Sequence, residues 1–400
     1  MLVGLNMYQT AALAIVIYYV GGYLRNRYRI FATYCIPVPV VGGVVFACLN
    51  LLFHYFNLVN LQMDETLQQL FMTMFFTSIG YTASLQMMKK GGKQVFIFVA
   101  LCGLLIIAQD VLGIALAQVF DLNPLLGLAV GSIPMVGGHG TSGSFGPLLE
   151  SIGVRDATVV AIAAATFGLV MGSMIGGPIA KRLINKNKLA TARALTKDGI
   201  ATADQVEVGE PVPLDTERFM NAFGHLFIAM GVGSIVTKWF VTLGIVFPGY
   251  IGAMLVAALI RNLSDYGGWY PVYTRETEVL GSCALNIFLS MALMTLRLWE
   301  LAALAVPLVV MLLSQTVLMG IFAYYITYNV MGRNYEAAVI AAANCGFGMG
   351  ATPNAIANMK AITERFGPAP QAFFVVPLVG GLFVDFVNAG IITFFINLFH

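Results

Sequence analysis

Charge is scarce in this chain. Its 400 residues carry 21 basic and 19 acidic side chains, and the charged share of 10% compares with roughly 25% in an average soluble domain. A soluble fold could not hide the rest, because 59% of residues are hydrophobic and the mean hydropathy is +0.84. A net charge of +2 is too small for a polyanion-binding surface, which excludes nucleic acid as a partner. Histidine and cysteine are also few. His54, His139, His225 and His400 lie far apart, and Cys35, Cys48, Cys102, Cys283 and Cys345 show no C-x-x-C spacing. Resident metal chemistry is therefore not expected, and the cysteines read chiefly as small buried hydrophobes. No basic segment precedes the first apolar run, so that run reads as a retained membrane span rather than a cleaved leader.

Long apolar runs are what the chain has in abundance. About 20 apolar residues cross a bilayer, and that ruler gives ten segments. They run from Met7 to Leu24, Tyr34 to Phe56, Gln69 to Met87, Gln94 to Phe120 and Asp156 to Ala180 in the first half. In the second half they run from Phe219 to Phe240, Pro248 to Leu263, Glu278 to Leu298, Leu301 to Tyr328 and Gln371 to Leu398. With both ends of the chain outside, all basic residues except Arg155, Lys238 and Arg297 fall on the cytoplasmic side. The largest basic group occupies the loop from Lys181 to Arg218, which also holds Pro211 and Pro213 and reads as a cytoplasmic linker.

Two glycine-rich, nearly uncharged stretches interrupt this pattern at matching places. One is Gly131-Ser-Ile-Pro-Met-Val-Gly-Gly-His-Gly-Thr-Ser-Gly-Ser-Phe-Gly146; the other is Asn344-Cys-Gly-Phe-Gly-Met-Gly-Ala-Thr-Pro-Asn354. Irregular backbone is tolerated at membrane depth only where protein buries it or where it lines a wet cavity. Both stretches, within about 124–149 and 335–359, therefore read as re-entrant hairpins. Five crossings per half would place the second half upside down relative to the first. Pro39-Val-Val-Gly-Gly43 resembles Pro248-Gly-Tyr-Ile-Gly252, and Phe75 to Leu85 lines up with Phe288 to Leu298; Gly140-Thr141 then pairs with Ala351-Thr352. The expectation is an all-α polytopic membrane protein of about ten transmembrane helices. Two inverted five-helix repeats, 1–180 and 219–400, would be joined by the linker 181–218. Broken segments in corresponding halves point to the binding site of a secondary transporter.

Glycines at Gly137, Gly138 and Gly140, and at Gly346, Gly348 and Gly350, would let backbone N–H groups converge on an anion, with half-helix positive ends adding to the field. The competing reading is close helix packing by small residues. Sodium prefers oxygen ligands, and Thr141, Ser142, Asn344, Thr352 and Asn354 offer them at the hairpins. Gln109, Asp110 and Gln315 do so on the preceding helices, and Asp385 and Asn388 share one face of the last helix. His139 either touches substrate or braces its hairpin. Arg297 either meets a substrate carboxylate or snorkels to the interface.

Gly137-Gly-His-Gly-Thr141 resembles the GGHGT signature of the sodium/glutamate symporter family. The run from Asn344 to Pro368 is similar to that family's CGFGLGATPTAIANM and ITERFGP segments, and Ala165-Thr-Phe-Gly-Leu169 and Arg297-Leu-Trp-Glu300 also resemble it. The resemblance implies a homodimeric inner-membrane carrier, surrounded by membrane lipid, that takes up L-glutamate with sodium as coupling ion and needs no cofactor. It also implies a mobile, elevator-like core holding both hairpins. Carried onto this sequence, the substrate residues would be Gly137, Gly138, His139, Gly140, Thr141, Ser142, Asn344, Cys345, Gly346, Gly348, Thr352 and Asn354. Asn354 replaces an expected Thr, and Ser142-Gly-Ser departs from the pattern after the first motif.

Other classes fit less well. An intramembrane hydrolase would use Ser142 or Ser144 with His139, but no third orienting group is evident. A passive channel fits an inverted single-chain repeat less well than alternating access does. Among carriers, a sodium/citrate symporter or a sodium/proton exchanger working through Asp385 and Asp110 is the alternative.

Overall fold

The computed structural model describes residues 2–33, 36–56, 60–90, 92–189, 215–243, 248–268, 271–296 and 304–399. The first half contains α1 (Met7–Arg27), α2 (Arg29–Thr33), α3 (Val38–Tyr55), α4 (Thr66–Thr82), α5 (Leu85–Lys90) and α6 (Gly92–Val119). A broken hairpin follows, made of a 3-10 segment (Pro124–Val130), α7 (Ser132–Met135) and α8 (Gly138–Ser151), and then α9 (Ala157–Lys186). The second half has α10 (Thr216–Thr242), α11 (Ile251–Gly267), α12 (Thr274–Met294) and α13 (Ala305–Val330). Its hairpin consists of α14 (Tyr335–Gly348) and α15 (Thr352–Phe366), followed by α16 (Pro370–Leu382) and α17 (Val384–Phe399). One short parallel ribbon, Leu2–Gly4 with Asn60–Gln62, was not anticipated. Most of the expected linker, 190–214, lies outside the described residues.

Among the described residues, six helices are long and apolar enough to cross a membrane: α1, α6, α9, α10, α12 and α13. α4 and α11, at 17 residues each, fall short in length, and the apolar part of α3 is shorter still. The last expected span, Gln371 to Leu398, is a pair of helices bent by 46°. Gly380 and Gly381 precede the bend, and Pro377 lies inside α16, removing a helical donor.

Local chemistry sets several helix starts. Asn6 accepts from the backbone N–H groups of Tyr8 and Gln9, while Gln9 accepts from the Asn6 N–H, forming a capping box on α1. Arg25 and Arg27 sit in the last turn of α1, where the helix dipole favours cations. Asn123 caps the first hairpin through Leu125 N at 3.0 Å, and Asn334 caps the second through Ala337 N at 2.9 Å. Asp121, which the spacing of the Phe75 and Phe288 runs carries onto Asn334, instead occupies a turn with φ of 54°.

Packing divides the helices into two groups. One large apolar cluster is built mainly from α6, α9, α13, α16, α17 and both hairpins. Three smaller clusters are built mainly from α1, α3, α4, α10, α11 and α12. Within the second group the crossings come in matching pairs. A Cβ on Gly42 would stand 2.1 Å from Ile17 O, and one on Gly252 would stand 2.3 Å from Gly233 O, so each half brings its first two long helices together at glycine. Gly80 of α4 meets Met254 of α11, and Leu293 of α12 meets Gly43 of α3. Gly80 and Leu293 are the positions that the Phe75 and Phe288 runs align.

Candidate functional site

The breaks in the two hairpins meet. Gly138, with φ of 60°, lies close enough to the second hairpin that a Cβ there would stand 3.2 Å from Gly350 O. Around this meeting point is a cavity of about 330 Å³, lined by Gly137, Gly138, His139, Gly140 and Thr141 from one tip and by Gly350, Ala351, Thr352 and Pro353 from the other. Phe75 and Phe76 of α4, Phe347 of α14, Gly380 of α16 and Asp385 of α17 close it. A wider cavity of about 800 Å³ touches Gly143 and Ser144 further along α8, and Glu65, Arg155 and Asp156 line it.

The glycines act differently from the expected N–H nests. Gly138, Gly140, Gly143 and Gly146 lie within α8, and Gly346 and Gly348 lie in the last turns of α14. Their absent side chains allow close approach: at Gly346 a Cβ would stand 2.6 Å from Ala355 N, and at Gly146 2.6 Å from the Thr158 Cα. Small-residue packing therefore explains most of them. Anion-binding capacity resides instead in two helix starts. α8 begins after Gly137 and α15 after Ala351, and neither has a side-chain cap. The start of α15 keeps only the Thr352 N–H free in its first three positions, because Pro353 has none and Asn354 N donates to Ala351 O at 3.0 Å. Both helix starts bring positive dipole ends to the cavity region.

The remaining substrate residues named from sequence turn away from this cavity. Ser142 Oγ donates to Gly138 O and Ala161 O, bracing α8 against α9. Asn344 donates to Thr327 Oγ1 at 2.8 Å, within the π-helical stretch Phe322–Thr327. Asn354 donates to Leu169 O at 2.8 Å, Cys345 is fully buried, and Gly348 faces Leu105 and Met319. His139 both lines the cavity and bonds Thr166 Oγ1 through Nε2 at 3.0 Å. Ser144 Oγ donates to Thr141 O, so neither serine is bonded to His139 as a nucleophile would be.

Gln109, Asp110, Gln315 and Asn388 are buried and fall into two hydrogen-bonded groups, which meet only where Gln109 and Asp110 are neighbours on α6. Gln315 donates to Gln109 O at 2.8 Å, and Gln109 donates to Gly348 O at 2.7 Å. Asp110 accepts from Ser132 N at 2.7 Å and from Ser132 Oγ at 3.0 Å, while Asn388 donates to Ser132 O at 3.4 Å. The side-chain oxygens of Gln109, Gln315 and Asn388 are buried without a hydrogen-bond donor. Buried acceptors left in this way are rare, and amide oxygens beside a carboxylate suit a hard cation. Asp385 stands apart from them, at the tip cavity. Arg297 lies outside the described residues.

Sequence reasoning overlooked the aromatic wall of Phe75, Phe76 and Phe347, which no local pattern marks. It also overlooked Gly168, Gly172 and Gly176 on α9, which sit against Met349 O, Cys345 O and Ala342 O. That stripe was readable as two consecutive G-x-x-x-G spacings.

A family description of the sodium/glutamate symporters matches residues 3–368. The chain belongs to the sodium/glutamate symporter family. It is 39% identical over 385 residues to the sodium/glutamate symporter of Escherichia coli (strain K12), covering 94% of each chain. It is 37% identical over 392 residues to that of Haemophilus influenzae, covering 97% of this chain and 96% of the relative. These relatives are named as symporters, not enzymes. The GGHGT motif of this family member forms the start of α8, and its second motif forms the turn from α14 into α15.

Proposed function

We propose that this protein is a secondary active transporter that takes up L-glutamate together with sodium across the bacterial inner membrane. The observation that carries the reading is the meeting of two uncapped helix starts, at Gly138 and Thr352, around one cavity. Positive helix ends at membrane depth attract carboxylates that have lost their water. Gly137, Gly138, Gly140, Thr141 and Thr352 bind the substrate, with His139 holding its tip in place through Thr166. Sodium is held by the oxygens of Gln109, Gln315 and Asn388, and the Asp110 carboxylate supplies the charge. Ser142, Asn344, Cys345, Gly346, Gly348 and Asn354 keep the hairpin arms in register.

The reading includes two inverted repeats with re-entrant hairpins, both termini outside and the 181–218 linker in the cytoplasm. The paired crossings at Gly42 and Gly252, and at Gly80 and Leu293, support the repeat. The large apolar cluster with both hairpins moves as a core against the second helix group, in an elevator-like cycle. That second group, which faces lipid, also forms a homodimer.

Sodium-gradient-driven uptake of radiolabelled L-glutamate into liposomes containing the purified protein tests this, with a potassium gradient as control and aspartate, glutamine and citrate as competitors. Sodium-dependent uptake blocked by unlabelled glutamate is the expected result. Uptake of citrate but not glutamate would overturn the substrate, and equal uptake in either gradient would overturn the coupling.

A further inference from the structure

The described lining of the tip cavity contains one carboxylate, Asp385, and no Lys or Arg. Asp385 sits in the first turn of α17 and is partly exposed to that cavity. The wall it shares carries aromatic rings as well as the Thr352 hydroxyl. At Gly380, which shares this wall, a Cβ would stand 2.9 Å from the Phe347 ring and 3.1 Å from Thr352 Oγ1; Phe75 and Phe76 supply further ring surface.

We propose that Asp385 is the receptor for the substrate's α-ammonium group and thereby selects amino acids over plain dicarboxylates. This assignment rests on the reading of the tip cavity as the substrate site. The two helix starts at Gly138 and Thr352 each carry about half a positive charge, and the second offers the Thr352 N–H, since Pro353 has none and Asn354 N is bonded to Ala351 O. They serve two carboxylates and do nothing for an ammonium group. An ammonium needs an acceptor to replace its lost water, and Asp385 is the anionic acceptor that the cavity offers. Aromatic rings lining the same cavity also suit an ammonium ion, which is drawn to ring faces. Sodium, by contrast, takes several oxygens at once, and the unpartnered amide oxygens of Gln109, Gln315, Asn388, Asn344 and Asn354 belong to residues outside the described lining of this cavity. Asp385 also acts by exclusion. A dicarboxylate lacking the ammonium would leave this carboxylate unpaired next to like charge, so the analogue is rejected.

Asp385→Asn and Asp385→Glu test the assignment in purified protein. The probes are L-glutamate and glutarate, which has the same carbon chain without the amino group. Affinities are read from ligand-induced shifts in thermal unfolding, so that a variant which binds without transporting is still measured. Sodium half-saturation is read in parallel. The wild type should prefer glutamate over glutarate by at least roughly 10³-fold, as sites built to bond a substrate N–H do. In Asp385→Asn that preference should collapse to within about tenfold, through loss of glutamate affinity with glutarate binding kept or improved. Sodium half-saturation measured with glutarate should stay within about twofold. Asp385→Glu, which keeps the charge, should still exclude glutarate.

Parallel loss of both ligands in Asp385→Asn, or admission of glutarate by Asp385→Glu, would overturn the proposal. A tenfold rise in sodium half-saturation with the preference unchanged would make Asp385 a sodium ligand instead. Wild-type protein that binds neither compound would defeat the substrate reading itself, a different outcome from either.

Discussion

The side-chain amide of Gln109 donates to the backbone carbonyl of Gly348 at 2.7 Å, tying the middle of α6 to the end of the first arm of the second hairpin. Both groups are buried, and Gln315 donates in turn to the Gln109 carbonyl. The amide oxygen of Gln109 is left facing the polar network without a donor. Gln109→Leu removes that oxygen and strands the Gly348 carbonyl, at a cost of about 1–3 kcal/mol. Sodium half-saturation for uptake should rise at least roughly tenfold, about 1.4 kcal/mol of lost ion affinity. Unchanged sodium dependence would place the coupling ion elsewhere.

Gly346→Ala and Gly177→Ala form a contrasting pair. The added methyl at Gly346 would meet backbone atoms of Asn354 and Ala355 at 2.6 Å, and backbone cannot swing aside. Overpacking there should cost about 1–3 kcal/mol and abolish uptake by parting α14 from α15. At Gly177 nothing beyond its own chain neighbours lies within 4 Å, so alanine should leave uptake intact, with no gain in helix stability because a Cβ there crowds the ring of Pro178. Thermal unfolding in detergent, followed by uptake, reads both.

Gly42→Val and Gly252→Val probe the paired crossings. Each new side chain would start within 2.3 Å of a carbonyl oxygen on the neighbouring helix, Ile17 O or Gly233 O. Similar losses of thermal stability are expected from the two. Tolerance at one site and failure at the other would contradict the matched packing of the halves.

Arg261 and Asp265 form an ion pair at 3.0 Å with both side chains mostly buried, at 16% and 14% exposure. The pair is bonded into its surroundings: Ser84 donates to Asp265, and Arg261 donates to Thr274 Oγ1 at 2.8 Å. Asp265→Asn leaves a mostly buried guanidinium with Glu278 as its remaining carboxylate partner and should cost about 1–3 kcal/mol. The double variant Arg261→Met/Asp265→Leu should recover part of that loss in the same unfolding measurement.

The two tips that line the candidate site were legible before any coordinates. Gly137 to Thr141 and the turn around Thr352 were named from glycine and proline content, and they do line one cavity. The glycines were harder to read, because a missing side chain serves an N–H nest and a close helix crossing equally well. Their neighbours decide, and these are remote in sequence: Thr158 for Gly146, Phe288 for Gly143. The aromatic wall was illegible for the same reason, since phenylalanine in an apolar helix carries no mark of what it faces.

Sequence alone determined the membrane class, the positions of the two breaks and the family, because composition, glycine and proline content, and motif spacing are local properties. The tertiary structure decided how the polar groups divide. Asp385 and Asn388 are three residues apart on one unbroken helix, α17, and spacing alone would have them work together. The bend before α17 puts Asp385 in the first turn, at the tip cavity. Asn388, one turn further on, reaches Ser132 of the first hairpin. Helical periodicity sets which residues share a face, but only the packing of five distant segments sets what each of them meets.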